Sequence, residues 1–353
     1  MKKNYWQWFL VAAVALLVAR GARAADSPVT PFVDSQTTAV IYLDLSTLDM
    51  NQVGTWEQKA ISSIADPTQR AKAQTDAAKG IDSAKKWISD FKTAGGKDLY
   101  IVVSLAGLMQ GAPGGMIVPL NGSDGTGLAK VFNPQGNPPP ADPNDPNAAQ
   151  QARMRPQTAV VGDMMIFSTG TGIAKLKTPS TEARADLTDA LAAGNGTTLR
   201  LALNPSTVKN NPLFGAIVNS RMGGAGVGAQ TPPFSEPQWD NVTWMSVSVS
   251  APPKEAGNCT FQCKDEASAT ALADLLTKKI ADGKAGFLNN GKMTPEDFAK
   301  FAAAIKPTVT GTQVVISLDQ DTIDNILVPI MSKSMQAAAQ PAAAPPPPDN
   351  GGM

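Results

Sequence analysis

Histidine is missing from all 353 residues of the chain. Without it there is no Ser-His-Asp triad, no Cys-His nucleophile pair, no His-ligated zinc and no haem held by a proximal histidine. Basic clusters are missing as well. The formal charge is zero, and Lys2, Lys3, Arg20 and Arg23 lie in the first 24 residues with no acid among them. The remainder is therefore mildly acidic and carries no electrostatic footprint for nucleic acid. Cysteine is scarce: Cys259 and Cys263 are the only two. In an exported chain such a pair invites a disulfide. On a strand, however, residues four apart lie ~13 Å apart, beyond the reach of a bridge. Both would then share one face with Phe261 as buried free thiols.

Long apolar runs are confined to the N-terminus. Lys2 and Lys3 precede an apolar stretch from Trp8 to Val18, and Ala22-Arg23-Ala24 follows with small residues at the −3 and −1 positions. This is the order of a cleavable secretory signal peptide, residues 1–24, with Ala25 as the mature N-terminus. The alternative is an uncleaved anchor, for which the run is short of the ~20 residues a membrane span needs. No other stretch is apolar enough to span, so the mature chain is not expected to be an integral membrane protein. The expected location is periplasmic or secreted.

After a short extension, 25–35, the sequence repeats itself. Residues 38–48 align on 198–208 without a gap, each alternating apolar residues and ending in Ser-Thr. Residues 99–105 fall on 243–249, and Leu128-Ala-Lys-Val-Phe132 on Leu272-Ala-Asp-Leu-Leu276. Arg155-Pro156 and Lys306-Pro307 then lead into two similar hairpins. Four matches in one order indicate an internal duplication. The expected units are a first α+β repeat at 36–178, a linker at 179–197 and a second repeat at 198–335. The Pro/Asn-rich insertion 133–152 reads as disordered, and the Gly-rich stretch 221–238 as a flexible loop. The tail 336–353, rich in Ala and Pro, reads as disordered or extended.

Within each repeat the pattern predicts β-α-β-β-α-β plus an extra strand and helix. The first would have strands at 39–45, 99–105, 116–120, 158–161 and 164–168, with helices at 68–93 and 126–132. The second would have strands at 198–203, 242–250, 258–264, 308–310 and 313–318, with helices near 211–220 and at 266–281, 294–304 and 321–335. The linker adds a helical turn or two at 185–193 and is otherwise loosely packed. With the openings Val40-Ile-Tyr-Leu-Asp-Leu45 and Leu199-Arg-Leu-Ala-Leu203, and the strand-to-helix passage Cys263-Lys-Asp-Glu-Ala-Ser-Ala-Thr-Ala-Leu272, the chain resembles secreted bacterial proteins with duplicated ferredoxin-like α+β domains. The resemblance implies two tandem ferredoxin-like repeats, antiparallel-rich sheets with helices on one face, and no known active site.

Candidate chemistry is sparse. Asp44 and Asp49 flank Leu-Ser-Thr-Leu, which suits either a carboxylate pair or a strand end with a helix cap. Gly170-Thr171-Gly172 before a short helix offers backbone N–H groups to an anion, or forms a plain turn. Ser83-Ala-Lys-Lys86 has the spacing of a Ser/Lys pair but sits on the polar face of a predicted helix. Asp282 to Lys292 has one acid among asparagines and glycines, without the alternating ligands and terminal Glu of a calcium loop. Asn121, Asn195, Asn241 and Asn258 begin glycosylation sequons that matter only in a eukaryotic host. The sequence therefore identifies no catalytic residue, no metal ligand and no cofactor. It favours an exported, non-catalytic binding or interaction protein whose partner is a protein or a small molecule, with the cleft between repeats as the default site. A carboxylate-dependent hydrolase and a structural component of the cell envelope are the alternatives.

Overall fold

The structure is a computed structural model that describes residues 27–327, apart from 63, 65, 106, 108–113, 138–153, 179–183, 210–233, 253–254 and 285–293. The leader, its cleavage site, the helix expected near 211–220 and the tail lie outside the described residues.

Ten strands form one antiparallel sheet. They are β1 (Ala39–Asp44), β2 (Asp98–Val103), β3 (Gly114–Pro119), β4 (Pro156–Val161), β5 (Met164–Thr169), β6 (Leu199–Leu203), β7 (Val242–Ser250), β8 (Ala256–Cys263), β9 (Thr308–Thr310) and β10 (Gln313–Leu318). Among the described residues nine α-helices accompany them: α1 (Met50–Ser62), α2 (Pro67–Thr93), α3 (Thr126–Phe132), α4 (Gly170–Leu176), α5 (Ala185–Ala193), α6 (Pro205–Lys209), α7 (Glu266–Asp282), α8 (Pro295–Ala304) and α9 (Gln320–Thr322), the last running into a π-helical turn (Ile323–Leu327). The helix starts follow local chemistry. Asp66, Asp265 and Thr294 cap α2, α7 and α8 through their side-chain oxygens, and Pro67 and Pro295 take the first helical positions, where a missing N–H costs nothing.

The strand order is β4-β5-β3-β2-β1-β6-β7-β8-β10-β9. Outward from the central β1·β6 pair, each half adds its second, third, fifth and fourth strands. The seam register centres on Ile41 opposite Leu201, flanked by Val40·Ala202 and Tyr42·Arg200. Positions 41 and 201 are also equivalent in the sequence alignment. Small features recur at matching places. Asp44 Oδ1 accepts from the Ser46 N–H at 2.9 Å and hydroxyl at 2.6 Å, and Asn204 Oδ1 does the same with Ser206 at 2.9 and 2.6 Å. Thr38 Oγ1 accepts from the Leu105 N–H at 3.2 Å and Thr198 Oγ1 from the Ala251 N–H at 3.0 Å. The outer hairpins both turn on a left-handed glycine, Gly162 at φ 60° and Gly311 at φ 58°, a conformation that side chains disfavour.

Four expectations need correction. Neither half has the ferredoxin-like arrangement, because a split β-α-β unit separates its first two strands by another, whereas β1 and β2 are direct antiparallel neighbours. The second alignment is off by two: the sheet places 99–105 on 245–251, since Leu105 and Ala251 hold the same bond to an equivalent threonine. A two-residue slip keeps every side chain on its own face, so alternation alone cannot detect it. Helices also cover both faces of the first half. On one, Val40, Tyr42, Tyr100, Ile117, Met164 and Ile166 pack against Ile173 and Leu176 of α4 and Leu187, Ala190 and Leu191 of α5. On the other, Leu99, Val118 and Met165 meet Phe91 of α2 and Leu128 of α3. The cause is visible in β5, whose Met164-Met165-Ile166-Phe167 is apolar on both sides and must be buried on both. The linker is likewise not loose: Leu187 and Ala190 of α5 are fully buried.

Candidate functional site

The richest concentration of ionisable groups lies on the central strands, where the halves join. Tyr42 of β1 stands opposite Tyr100 of β2 and Arg200 of β6, and Arg200 stands opposite Ser248 of β7. The Arg200 guanidinium lies 3.9 Å from the Tyr42 ring centroid, and the two tyrosine rings are 5.0 Å apart. Stacked cations of this kind contribute ~1 kcal/mol or more where water is excluded. Arg200 Nη1 also donates to the Leu191 carbonyl at 3.3 Å and to Asn195 Oδ1. Its Nε is buried without a partner.

One rung further, Asp44 and Asp98 face each other across β1 and β2. Burial, and then the Asp44 charge, raise the Asp98 carboxyl above its usual range, against the hydrogen bond from Tyr42 and the Arg200 charge. Burial and the two aspartates likewise push the Tyr42 hydroxyl up. Chemically this is a carboxylate pair with one member held towards its neutral form, beside a fixed cation. Asp98, Tyr42 and Arg200 were not singled out from sequence. The signal available was the register, which places Asp98 opposite Asp44, but register depends on pairing distant segments.

The residues that sequence did single out are engaged in local structure. Asp44 caps the Ser46-Thr47 turn, and Asp49 accepts from the Asn51 N–H at 2.8 Å and Gln52 Nε2 at 3.2 Å. At the start of α4 the Gly172 N–H is taken by Thr169 Oγ1 at 3.1 Å, so Gly170 to Gly172 form a capped turn. Ser83 Oγ donates to the Lys79 carbonyl at 2.8 Å, while Lys86 pairs with Asp90 on the exposed side of α2. These are not a nucleophile and its base. Asp282 ends α7, and most of the loop after it lies outside the described residues. Asn121 donates to Pro119, Asn241 accepts from Lys264, and Asn258 accepts from Ser317.

The cysteines are both free, on β8 and on one sheet face with Phe261. Burial pushes Cys259 up to about 12 and Cys263 up to about 11, the latter aided by Asp265. Neither is a nucleophile near neutrality. Among the described residues no open cleft separates the halves at the sheet, where β1 and β6 are hydrogen-bonded neighbours. A depression lined by Phe32, Asp34, Thr37, Ser104 and Lys175 has room for about one water, and the Lys175–Asp34 ion pair at 2.8 Å closes it. Among the described residues no group of three or more acids and thiols could hold a metal ion, and no helix is long and apolar enough to cross a membrane. No family model matches the chain, and no curated protein or solved structure matches it.

Among the described residues a different surface remains open. On the face that carries Tyr42 and Arg200, the outer strands of the second half present Asn258, Thr260 and Gln262 of β8, Gln313, Val315 and Ser317 of β10, and Thr308 and Thr310 of β9, in adjoining rows with the single apolar Val315 between Thr260 and Thr308. The β8 residues and Gln313 are half-buried; Ser317, Thr308 and Thr310 are exposed. Helix α7 packs on these strands from the opposite face, through Ala269, Leu272 and Ala273.

Proposed function

We propose that the chain is exported by a cleavable leader, begins at Ala25 in its mature form, and acts outside the cytoplasm as a non-catalytic binding or interaction protein. Its scaffold is one α+β unit used twice. The matching strand order, seam register, Asx turns and hairpin glycines support the duplication. The observation that carries the binding reading is the open face of β8, β10 and β9, a platform of hydroxyl and amide groups. Its counterpart in the first half is apolar and covered by α4. Side-chain amides and hydroxyls bind by hydrogen bonds and carry no net charge, so they suit a polar, uncharged surface on the partner.

The test is site-specific photo-crosslinking in the producing cell, with the photoreactive residue at Thr260 and, as control, at exposed Ser83 on α2. Discrete adducts at 260 and none at 83 support the reading. Equal labelling at both positions, or none at either, contradicts it.

A carboxylate-dependent hydrolase is the second reading, and the opposed Asp44 and Asp98 favour it. It requires Asp44→Asn to abolish turnover of a substrate. On the binding reading that variant keeps its partner and fold, because Asn204 makes the identical turn in the other half.

A further inference from the structure

Helix α1 leaves β1 in the first half and packs through Ile61 on Ala77 of α2, yet two of its side chains reach the second half. Lys59 Nζ reaches Asp324 Oδ1 in the π-helical turn at 2.7 Å. One helical turn earlier, Trp56 lies beside Glu255, the residue that leads into β8. Glu255 is only 6% exposed, and its Oε2 is buried with no hydrogen-bond partner. An ionised carboxylate with an unsatisfied buried oxygen is costly, whereas the neutral acid is tolerated. The charged groups facing Glu255 are Asp324, which opposes its ionisation, and Lys59, which favours it. Lys59 is already committed to Asp324.

We propose that α1 is an acid-strengthened latch: it is docked on the second half over a neutral Glu255, and ionisation of Glu255 loosens it. Burial and then Asp324 raise this carboxyl above its usual 4.5, against Lys59 and the Trp56 indole. For an acid raised in the docked state, the docking free energy is fully present below the usual value. It falls as the pH climbs through the docked-state value. A protein outside the cytoplasm meets that range directly, so the ambient pH would set how firmly the first half's longest connection is tied to the second.

The experiment is hydrogen exchange of the full chain read by mass spectrometry from pH 4.5 to 8, with intrinsic rates divided out. Protection of residues 50–62 is compared with that of α7 in the same molecules. The wild type should lose protection of 50–62 relative to α7 as the pH rises, about tenfold for each unit by which docking raises Glu255. In a Glu57→Gln background, which removes the buried carboxyl of α1 itself that burial also raises, Glu255→Gln, a neutral isostere, should keep its low-pH protection throughout. Asp324→Asn removes the opposing charge and frees Lys59, so its loss of protection should be smaller and should be complete at a lower pH, which moves its midpoint down. A wild-type ratio that does not change with pH overturns the latch, as does a Gln variant that loosens like the wild type. If Glu255→Gln fails to fold, the Asp324→Asn midpoint decides: a shift to lower pH supports the latch and an unmoved midpoint overturns it.

Discussion

The two arms of the sheet share a strand order and differ in what lies over them. In the first arm β5 is apolar on both faces, and α4 and α5 cover one side while α2 and α3 cover the other. In the second, β8 alternates Asn258-Cys-Thr-Phe-Gln-Cys263, so one face packs on α7 and the other turns polar. Topology is thus held by features at the seam and the hairpins, while the side chains between them decide whether a face becomes core or surface. A repeated unit can keep its fold and still free one face for another use.

The comparison can be broken first at its most buried equivalent pair. Leu128 of α3 and Leu272 of α7 are both fully buried against their half of the sheet. Leu128→Ala and Leu272→Ala should each cost about 2–5 kcal/mol in denaturant unfolding. A small effect at one site only would show that the two helices do not play one role.

The helices that follow β5 and β10 sharpen it further. Thr169 caps α4, and Asp319 caps α9 by accepting from the Thr322 N–H at 2.8 Å. Replacing either cap with Ala should cost about 1 kcal/mol at neutral pH. They should part on acidification. The hydroxyl and N–H of Thr322 hold Asp319 below its usual 3.8, so its contribution is present above that value and is lost as the pH falls through the folded one. The cost of Thr169→Ala should not change, and unfolding at pH 2.5 and pH 7 measures both.

A still smaller effect is expected at the end of β1. Asp44→Asn should change stability by less than about 0.5 kcal/mol, since an asparagine makes the same turn at 204. Asn204→Asp should cost more, because the Asn204 amide donates to Asp186 Oδ2 at 2.7 Å and a carboxylate there would face a carboxylate. Asp44→Asn should also lower the Asp98 carboxyl towards its usual range, which its NMR titration would report. Smallest of all, native alkylation at pH 8 should leave Cys259 and Cys263 almost unmodified, because both thiols are pushed to about 12 and 11. Rapid labelling of Cys259 would mean that the face under α7 opens.

Much of the local structure was legible in the residues. The Gly162-Asp163 turn, the Thr294-Pro295 helix start and the alternation of β7 each fix their element through nearest-neighbour chemistry. Helix α1 was missed, although Val53 and Ile61 fall on one helical face, because buried Glu57 interrupts that face and Gly54 and Thr55 weaken the pattern. What sequence could not supply was long-range: β1 and β6 pair across about 160 residues, and alternating strands are compatible with any two-residue slip. That is why the split β-α-β order looked plausible, and why Asp98 and Arg200 escaped notice. The doubly apolar run in β5 did carry the signal for helices on both faces.

The central claim is the seam, with Ile41 opposite Leu201 joining two like halves into one sheet. It is tested most directly by engineered cross-links in a background with Cys259 and Cys263 replaced by Ser. Ile41→Cys with Leu201→Cys should oxidise to an intramolecular disulfide, since directly opposed strand positions lie within bonding reach. Ile41→Cys with Leu199→Cys, on the same face but diagonal in the register, should stay reduced. Efficient bridging of 41 to 199, or of neither pair, would contradict the register and with it the equivalence of the two halves.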